Sequence, residues 1–404
     1  MFTRELMAII VASAAGFFAQ EILNPILSLY MRDIGLSDQN IGAAISVMMV
    51  GIALSELFWG WAVDRIQLKA VLILGMFVYA LMTSALLIPK TIFPLFVVIF
   101  FYGFSRSPVY IVGRWYMGVH AAENVKAQAF ALMSVMIAFS SSVAGFSSGF
   151  ITEAWGFRTT IRIAAVVPFA AGLFIIVASR WFRFRHRDFK QADAAEVAHD
   201  RAAINGNAKP MTYFLGAFGV IMFISLGVFM AYLPLFATDV VHLDPSQIGT
   251  FFGARSLFQA LAMLPLSKLA DKVGKRGFVP LSMAVVAASM ILLAVSRSYG
   301  MLMASVVLYA LGFATYMPSV TAILSERVPV SWIGTAMGIY GLLEDVGWML
   351  GPAVASVLLN YWSVPSTFVF SGVAAALGAP LFQLGWRRVR APKIAHAQAQ
   401  AGAD

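Results

Sequence analysis

Apolar stretches of about twenty residues recur about twelve times along this chain, and no other property restricts its folding as strongly. Their approximate limits are 7–30, 42–62, 70–88, 92–117, 127–151, 161–179, 211–236, 246–266, 278–296, 300–325, 333–359 and 364–386, here spans 1 to 12. A run of that length, coiled as a helix, crosses the roughly 30 Å hydrocarbon core of a bilayer. Lipid offers no hydrogen-bond partners, so each run must satisfy its backbone within itself, which makes helix the only reading. The chain of 404 residues is 60% hydrophobic and 12% charged. Soluble domains carry about twice that charge. The fold class is an all-α, multi-pass membrane protein.

Charge distribution orients the bundle. With the N-terminus in the cytoplasm, Arg65, Lys69, Lys126, the 180–210 linker, Lys268 to Arg276, Arg327 and the Arg387–Lys393 tail all face inward. That is about twenty cations, against about five outside: Arg32, Lys90, Arg158, Arg162 and Arg297. The net charge of +9 is therefore a topology signal, and the Arg-rich start of the linker reads as a headgroup anchor, not a nucleic-acid site. Trp59, Trp61, Trp115, Trp155, Trp181, Trp332, Trp362 and Trp386 lie near span ends, as an interfacial belt requires, and Trp348 lies mid-span. Ala12-Ser13-Ala14-Ala15 looks like a signal-peptidase site, but the apolar run continues to about Tyr30, so a retained first helix is expected. The location expected is a bacterial-type inner membrane with both termini cytoplasmic.

Several function classes drop out. The chain has no cysteine, so it has no disulfide framework or thiolate metal site. It has no G-x-x-x-x-G-K-[ST] loop for ATP. Its histidines, at 120, 186, 199, 242 and 396, lie mostly in loops or tails and form no H-E-x-x-H, so a membrane enzyme is disfavoured. No cofactor or metal is expected.

The chain repeats itself. Ser267 to Arg276 reads Ser-Lys-Leu-Ala-Asp-Lys-Val-Gly-Lys-Arg, and Gly60 to Lys69 reads Gly-Trp-Ala-Val-Asp-Arg-Ile-Gln-Leu-Lys. Asp64 corresponds to Asp271 and Arg65 to Lys272, which points to two similar halves with a tight cationic turn after the second span of each. Pro25 near the end of span 1 corresponds to Pro234 near the end of span 7. Leu36-Ser-Asp-Gln-Asn-Ile-Gly corresponds to Leu243-Asp-Pro-Ser-Gln-Ile-Gly, and Gly145-Phe-Ser-Ser-Gly149 falls opposite Gly351-Pro352. The domains expected are a bundle over 1–179, a cytoplasmic linker over 180–210, a second bundle over 211–386 and a tail over 387–404.

Both turns resemble the loop signature of the major facilitator superfamily, G-x-L-x-D-x-x-G-[RK]-[RK]. Leu269, Asp271, Gly274, Lys275 and Arg276 match it, with Ser267 for the leading Gly. Gly60, Asp64 and Lys69 match in the first copy, with Ala62, Gln67 and Leu68 departing. Gly347-x-x-x-Gly351-Pro352 in span 11 is similar to a signature that the family's drug/proton antiporters carry in their fifth helix, and its place in the second half weakens the carry-over of the antiporter label. The resemblance implies two six-helix bundles around a central cavity lined by spans 1, 4, 7 and 10 and flanked by 2, 5, 8 and 11. It implies alternating access, with gating residues Gly60, Asp64, Arg65, Lys69, Asp271, Lys272, Gly274 and Arg276. The Arg usual in the family's fourth helix is Ile99 here, and Glu21 is too close to Pro25 to stand for the drug antiporters' Asp.

Ionisable residues inside the membrane cost a few kcal/mol each and are functional suspects by default. Glu21, with Gln20 and Asn24 nearby, lies in span 1, Glu56 toward the inner end of span 2, and Arg106 and Arg114 in span 4. Arg255 lies in span 8, and Glu344 and Asp345 in span 11. At 1.5 Å per residue, Arg255 is roughly 13 Å from the outer end of its span and Glu344 roughly 17 Å from the inner end of its own. Tyr102, Arg106, Tyr110 and Arg114 recur every four residues on one helix face, as do Tyr340, Glu344 and Trp348. Adjacent Glu344 and Asp345 point about 100° apart, and Glu344 shares the aromatic face. Glu56 reads as structural.

The substrate-binding candidates are thus Glu21, Asn24, Tyr102, Arg106, Tyr110, Arg255, Tyr316, Tyr340, Glu344 and Trp348, and the coupling candidates are Glu21, Glu344 and Asp345. The function expected is secondary active transport, by proton coupling or exchange, of a small organic solute with some anionic character, clamped by arginines from both halves. Efflux of hydrophobic compounds through a Phe- and Met-rich pocket is the alternative. A non-transporting sensor or assembly partner ranks below both. The expected partners are the solute, protons or a counter-substrate, and the bilayer, with no nucleic acid and a monomeric chain.

Overall fold

The structure, a computed structural model, describes residues 4–89, 91–108, 111–113, 123–179, 208–329 and 332–388. Among these residues the regular secondary structure is all helix. Helices α1 (Arg4–Glu21) and α2 (Asn24–Asp33) form span 1, α3 (Asp38–Arg65) span 2, α4 (Leu68–Ala85) span 3 and α5 (Ile92–Phe104) the first part of span 4. Spans 5 and 6 are the two legs of α6 (Glu123–Ala178). Spans 7 to 12 are α7 (Lys209–Val241), α8 (Pro245–Val273), α9 (Lys275–Val295), α10 (Tyr299–Arg327), α11 (Ile333–Leu358) and α12 (Val364–Arg388). Each expected span therefore has a helical counterpart. Most of the expected linker, and most of the tail, lie outside the described residues.

The connections are short because the sequence supplies stop signals. The two legs of α6 meet at Gly156, whose φ of 78° is open to glycine at no steric cost. The hydroxyls of Thr152 and Thr160 approach to 2.8 Å across that turn. On a straight helix, eight residues would separate them by about 12 Å, so the chain reverses there. Gly274, with φ 113°, alone separates α8 from α9. The first copy of that turn has Gln67 in place of the glycine and instead uses two residues of negative φ, Ile66 and Gln67. Ser37 and Ser298 cap the starts of α3 and α10, and Asp244 with Gln247 forms a capping box on α8.

Packing repeats between the halves. Span 2 lies on span 4 as span 8 lies on span 10. Span 3 lies on span 6 as span 9 lies on span 12, and span 1 meets span 5 as span 7 meets span 11. The most extensive crossings between the halves are span 5 on span 8 and span 11 on span 2, with the α2 part of span 1 also meeting spans 7 and 8. The first is built from glycine. A Cβ on Gly145 would stand 2.5 Å from the Gly253 nitrogen, and one on Gly249 would stand 2.7 Å from the Gly149 nitrogen, so the backbones touch. Gly347 and Gly351 of span 11 face Val220 and Ile224 of span 7 instead, within their own half. The glycines aligned in sequence thus serve different contacts.

Large apolar side chains such as Leu57, Leu81 and Leu264 are exposed around the bundle, where acyl chains cover them. The tryptophan belt holds at Trp61, Trp155 and Trp362, which are exposed. Trp59, Trp332 and Trp386 depart from it. They sit near span ends but turn inward, Trp59 donating to the Phe104 carbonyl and Trp386 taking the Arg276 and Arg327 guanidinium groups over its ring. Trp115 and Trp181 lie outside the described residues.

Candidate functional site

Glu21 occupies a break in span 1. It is the last residue of α1, and Ile22 and Leu23 form a turn before α2. Pro25 has no N–H to give the Glu21 carbonyl, which is why the ladder fails here. The Ser148 hydroxyl donates to the Ile22 carbonyl at 2.5 Å and so ties the break to span 5. Glu21 is 7% exposed, and Asn24, half-buried, opens α2.

From the other half, Arg255 of α8 reaches Glu21 with Nη2 3.9 Å from Oε2. That exceeds the roughly 2.8 Å of a charge-assisted hydrogen bond by about 1 Å, so the pair is loose. Arg255 also donates to Gln259 Oε1 at 3.3 Å and to Ser256 Oγ at 3.5 Å, while its buried Nε has no partner. Both residues line a cavity of about 680 Å³ between the halves. Its wall includes Ser134 and Ser141 of span 5, Gln259 of span 8 and Thr321 of span 10, with Phe17, Met133 and Met263 supplying apolar surface. Sequence reasoning named Glu21 and Arg255 but missed these polar neighbours. Gln259 had a signal, since it lies four residues after Arg255 on the same face.

Arg106 marks a second break. Helix α5 ends at Phe104, and residues 105–107 are not helical ahead of Pro108. The freed carbonyls find donors: Trp59 Nε1 reaches Phe104 at 3.3 Å and Ser105 Oγ reaches Tyr102 at 2.8 Å. Arg106 is 7% exposed, with no carboxylate partner among the described residues. Its Nη1 meets Met48 Sδ at 3.5 Å, its guanidinium carbon lies 5.6 Å from the Tyr102 ring centre, and Nε and Nη2 have no hydrogen-bond partner. Tyr79 and Tyr102 pack together beside it, with ring centres 5.9 Å apart. Tyr110 and Arg114, the rest of the expected stripe, lie outside the described residues.

In the second half, Tyr316, Tyr340 and Glu344 are buried together against Gly219, where a Cβ would stand 3.3 Å from the Tyr340 ring and 3.4 Å from Glu344 Cγ. Trp348, half-buried, packs edge-on against Phe223. Asp345 points elsewhere, half-buried and within charge range of Glu56 across the span 11–span 2 crossing. Arg106 and Glu344 are not on the wall of the 680 Å³ cavity. The structure thus brings Glu21 and Arg255 together and sets the other candidates in two flanking polar clusters. Among the described candidates, Glu21, Arg106 and Glu344 are buried, and Asn24, Arg255, Asp345 and Trp348 are half-buried.

The two ends of the bundle differ. At the end carrying Gly35, Gly156 and His242, the halves are fastened. Arg32 of α2 donates to Asp38 at 2.7 Å and to Asp239 of α7 at 2.5 Å. Ser28 donates to the Ala231 carbonyl, Ser356 to the Gln39 carbonyl, Gln39 to the Leu359 carbonyl, and the Ser246 N–H to Glu153. Sequence reasoning had counted Arg32 only as an outside cation. At the opposite end stand the expected gating residues. Arg65, Lys69, Lys272 and Arg276 are exposed, and Gly60 faces open space. Arg65 lies over Trp61 and Arg276 over Trp386, each within its own half. The side chains of Asp64 and Asp271 lie outside the described set. Lys275 pairs with Glu326 at 2.5 Å, again within one half.

Comparison with known proteins agrees with this architecture. The profile of the Major Facilitator Superfamily matches residues 9–239 and 213–403. An uncharacterized MFS-type transporter of Methanocaldococcus jannaschii is 19% identical over 360 residues, covering 89% of this chain and 90% of that one. Riboflavin transporter RibZ of Clostridioides difficile is 29% identical over 161 residues, 38% of this chain and 35% of its own length. Quinolone resistance protein NorA of Staphylococcus aureus is 25% identical over 173 residues, 43% of each chain. Among solved structures, a bacterial homolog of the human lysosomal transporter Spinster superposes with a TM-score of 0.80 at 12% identity, covering 96% of this chain and 98% of that one. The nucleoside transporter NupG gives 0.77 at 14% identity, covering 95% and 100%. At such identities the structural likeness speaks for the fold alone.

Proposed function

The chain belongs to the major facilitator superfamily of membrane transporters, and from that premise we propose that it is a secondary active transporter for a small organic solute with anionic character, working by alternating access. The observation that carries this reading is the Glu21–Arg255 pair: opposite charges from opposite halves, 3.9 Å apart on the wall of a cavity. An incoming carboxylate or phosphate can dock bidentately on Arg255, which already has an unused Nε. Glu21, released from its counter-charge, is then the carboxylate placed to carry a proton in step with the solute. Ser134, Ser141, Ser256, Gln259 and Thr321 offer hydrogen bonds to hydroxyl or carbonyl groups of the solute. Arg106, Tyr102 and Asn24 extend the site in the first half, with Tyr110 a further candidate there, and Tyr316, Tyr340, Glu344 and Trp348 extend it in the second. Glu344 and Asp345 are the further coupling candidates.

The conformation fits the inward-facing state when the charge bias is taken to orient the bundle. The fastened end then lies outside and the signature turns lie in the cytoplasm. Asp64 and Asp271, with Arg65, Lys69, Lys272, Gly274, Gly60 and Arg276, fasten the cytoplasmic end in the opposite state. The chain acts as a monomer, with both termini cytoplasmic.

A second reading, efflux of hydrophobic or amphipathic compounds, is favoured by Phe17, Met133, Ile137 and Met263 on the same wall and by the partial similarity to NorA. Flux in proteoliposomes under an imposed pH gradient separates the two. Small organic anions carried by the wild type and lost with Arg255→Gln support the first, while neutral or cationic amphiphiles carried equally by both proteins support the second.

A further inference from the structure

We propose that the flank of the first half, away from the transport cavity, holds a site for one anionic glycerophospholipid. A groove of about 580 Å³ runs between α4 and the second leg of α6, lined by Phe77, Leu81, Ser84, Arg162, Val166 and Phe169. Leu81 and Val166 are each 61% exposed, so the groove opens to the membrane rather than to the bundle interior. Phe77 and Phe169 meet edge-to-face with ring centres 5.3 Å apart and line the end of the groove away from Ser84 and Arg162. From there to Ser84 and Arg162 is seven residues along each helix, about 10 Å, enough for the upper part of one acyl chain.

The mouth of the groove fixes the headgroup chemistry. Arg162, Val166 and Phe169 follow at helical spacing on one face, so the guanidinium stands over the acyl track. Arg162 is exposed and has no carboxylate partner among the described residues. It lies six residues past the Gly156 turn, roughly 9 Å below the end of the helix, a depth from which an arginine reaches the headgroup layer. A phosphodiester is the bidentate partner that its planar fork matches. Ser84 is also exposed, but its hydroxyl donates to the Ala80 carbonyl at 2.9 Å, which leaves it free only to accept. It therefore suits a headgroup that brings its own hydroxyl, as phosphatidylglycerol does, over one without a donor, as phosphatidylcholine is.

Native mass spectrometry of the detergent-purified protein, titrated with phosphatidylglycerol or phosphatidylcholine of the same acyl chains, tests the site. Phosphatidylglycerol should be retained in preference. Arg162→Ala should weaken its retention about ten-fold, as expected for loss of one charge-assisted contact. Val166→Trp, which fills the groove from its exposed rim and leaves the charge in place, should weaken retention of both lipids. Equal retention of the two lipids by the wild type overturns the proposal. So does a preference unchanged in Arg162→Ala, or loss confined to Arg162→Ala while Val166→Trp binds normally, which leaves a surface charge and no acyl groove.

Discussion

The Glu21 carboxylate and the Arg255 guanidinium face one another at 3.9 Å, one from each half of the chain, where a Pro25-induced break in span 1 meets the face of α8. A tight, fully hydrogen-bonded pair in this position would act as a strut. One that is about 1 Å looser, beside a cavity, can exchange partners at little cost. On this reading Arg255→Gln lowers transport of an anionic solute at least ten-fold, mainly through KM, and Arg255→Lys restores only part because it loses the bidentate fork. Initial rates against solute concentration in proteoliposomes check this.

The proposed coupling role falls on Glu21, Glu344 and Asp345. Glu344→Gln should abolish gradient-driven accumulation while sparing solute exchange, because a permanently neutral side chain cannot carry a proton through the cycle. Glu21→Gln should also uncouple but weaken solute selectivity as well, since it frees Arg255 from its counter-ion. Counterflow and pH-driven uptake, measured side by side in each variant, separate the two effects. Accumulation that survives in Glu344→Gln removes that residue from the coupling role.

Arg32 ties Asp38 of its own half to Asp239 of the other, and Ser28 is buried nearby with its hydroxyl on the Ala231 carbonyl. Arg32→Ala should shift the population toward the state open at this end. The chain has no cysteine, so Ser28→Cys supplies a single reporter. Its maleimide labelling should be slow alone and several-fold faster when combined with Arg32→Ala.

At the other end, Asp271→Asn should slow transport without removing solute binding, because it weakens only the state in which that end is shut. Thermal stabilisation by a transported solute should persist while the turnover rate falls. Uptake kinetics identical to wild type count against a gating role for Asp271.

The crossing of span 5 on span 8 leaves no room for a side chain at Gly249, whose Cβ would meet the Gly149 nitrogen at 2.7 Å. Gly249→Val must force two backbones apart and should destabilise the protein by about 1–3 kcal/mol, read as a fall in midpoint temperature. Gly334→Ala, at a position with open space around it, should be nearly neutral.

Span number and helical class were legible in the sequence because lipid allows only one way to satisfy a run of apolar backbone. Glu21 and Arg255 were legible for the same reason in reverse, since a charge inside such a run must have a purpose. The break at Arg106 had a signal in Pro108 that the four-residue stripe masked: a stripe presumes one continuous helix, and α5 stops at Phe104. The Arg32 clamp was not legible, because it joins residues 207 positions apart and nothing local marks an exposed arginine as a bridge. The inward turn of Trp386 was hidden likewise, since its partners Arg276 and Arg327 come from α9 and α10.

Alternating access about the Glu21–Arg255 level is most directly tested by paired distance measurements between spin labels, one pair across each end of the bundle, at positions 39 and 360 and at positions 69 and 272. The account predicts a short distance at the first pair and a long one at the second in the resting protein, reversing together when Arg32→Ala releases the clamp. Two distances that stay fixed, or that lengthen together, would contradict it.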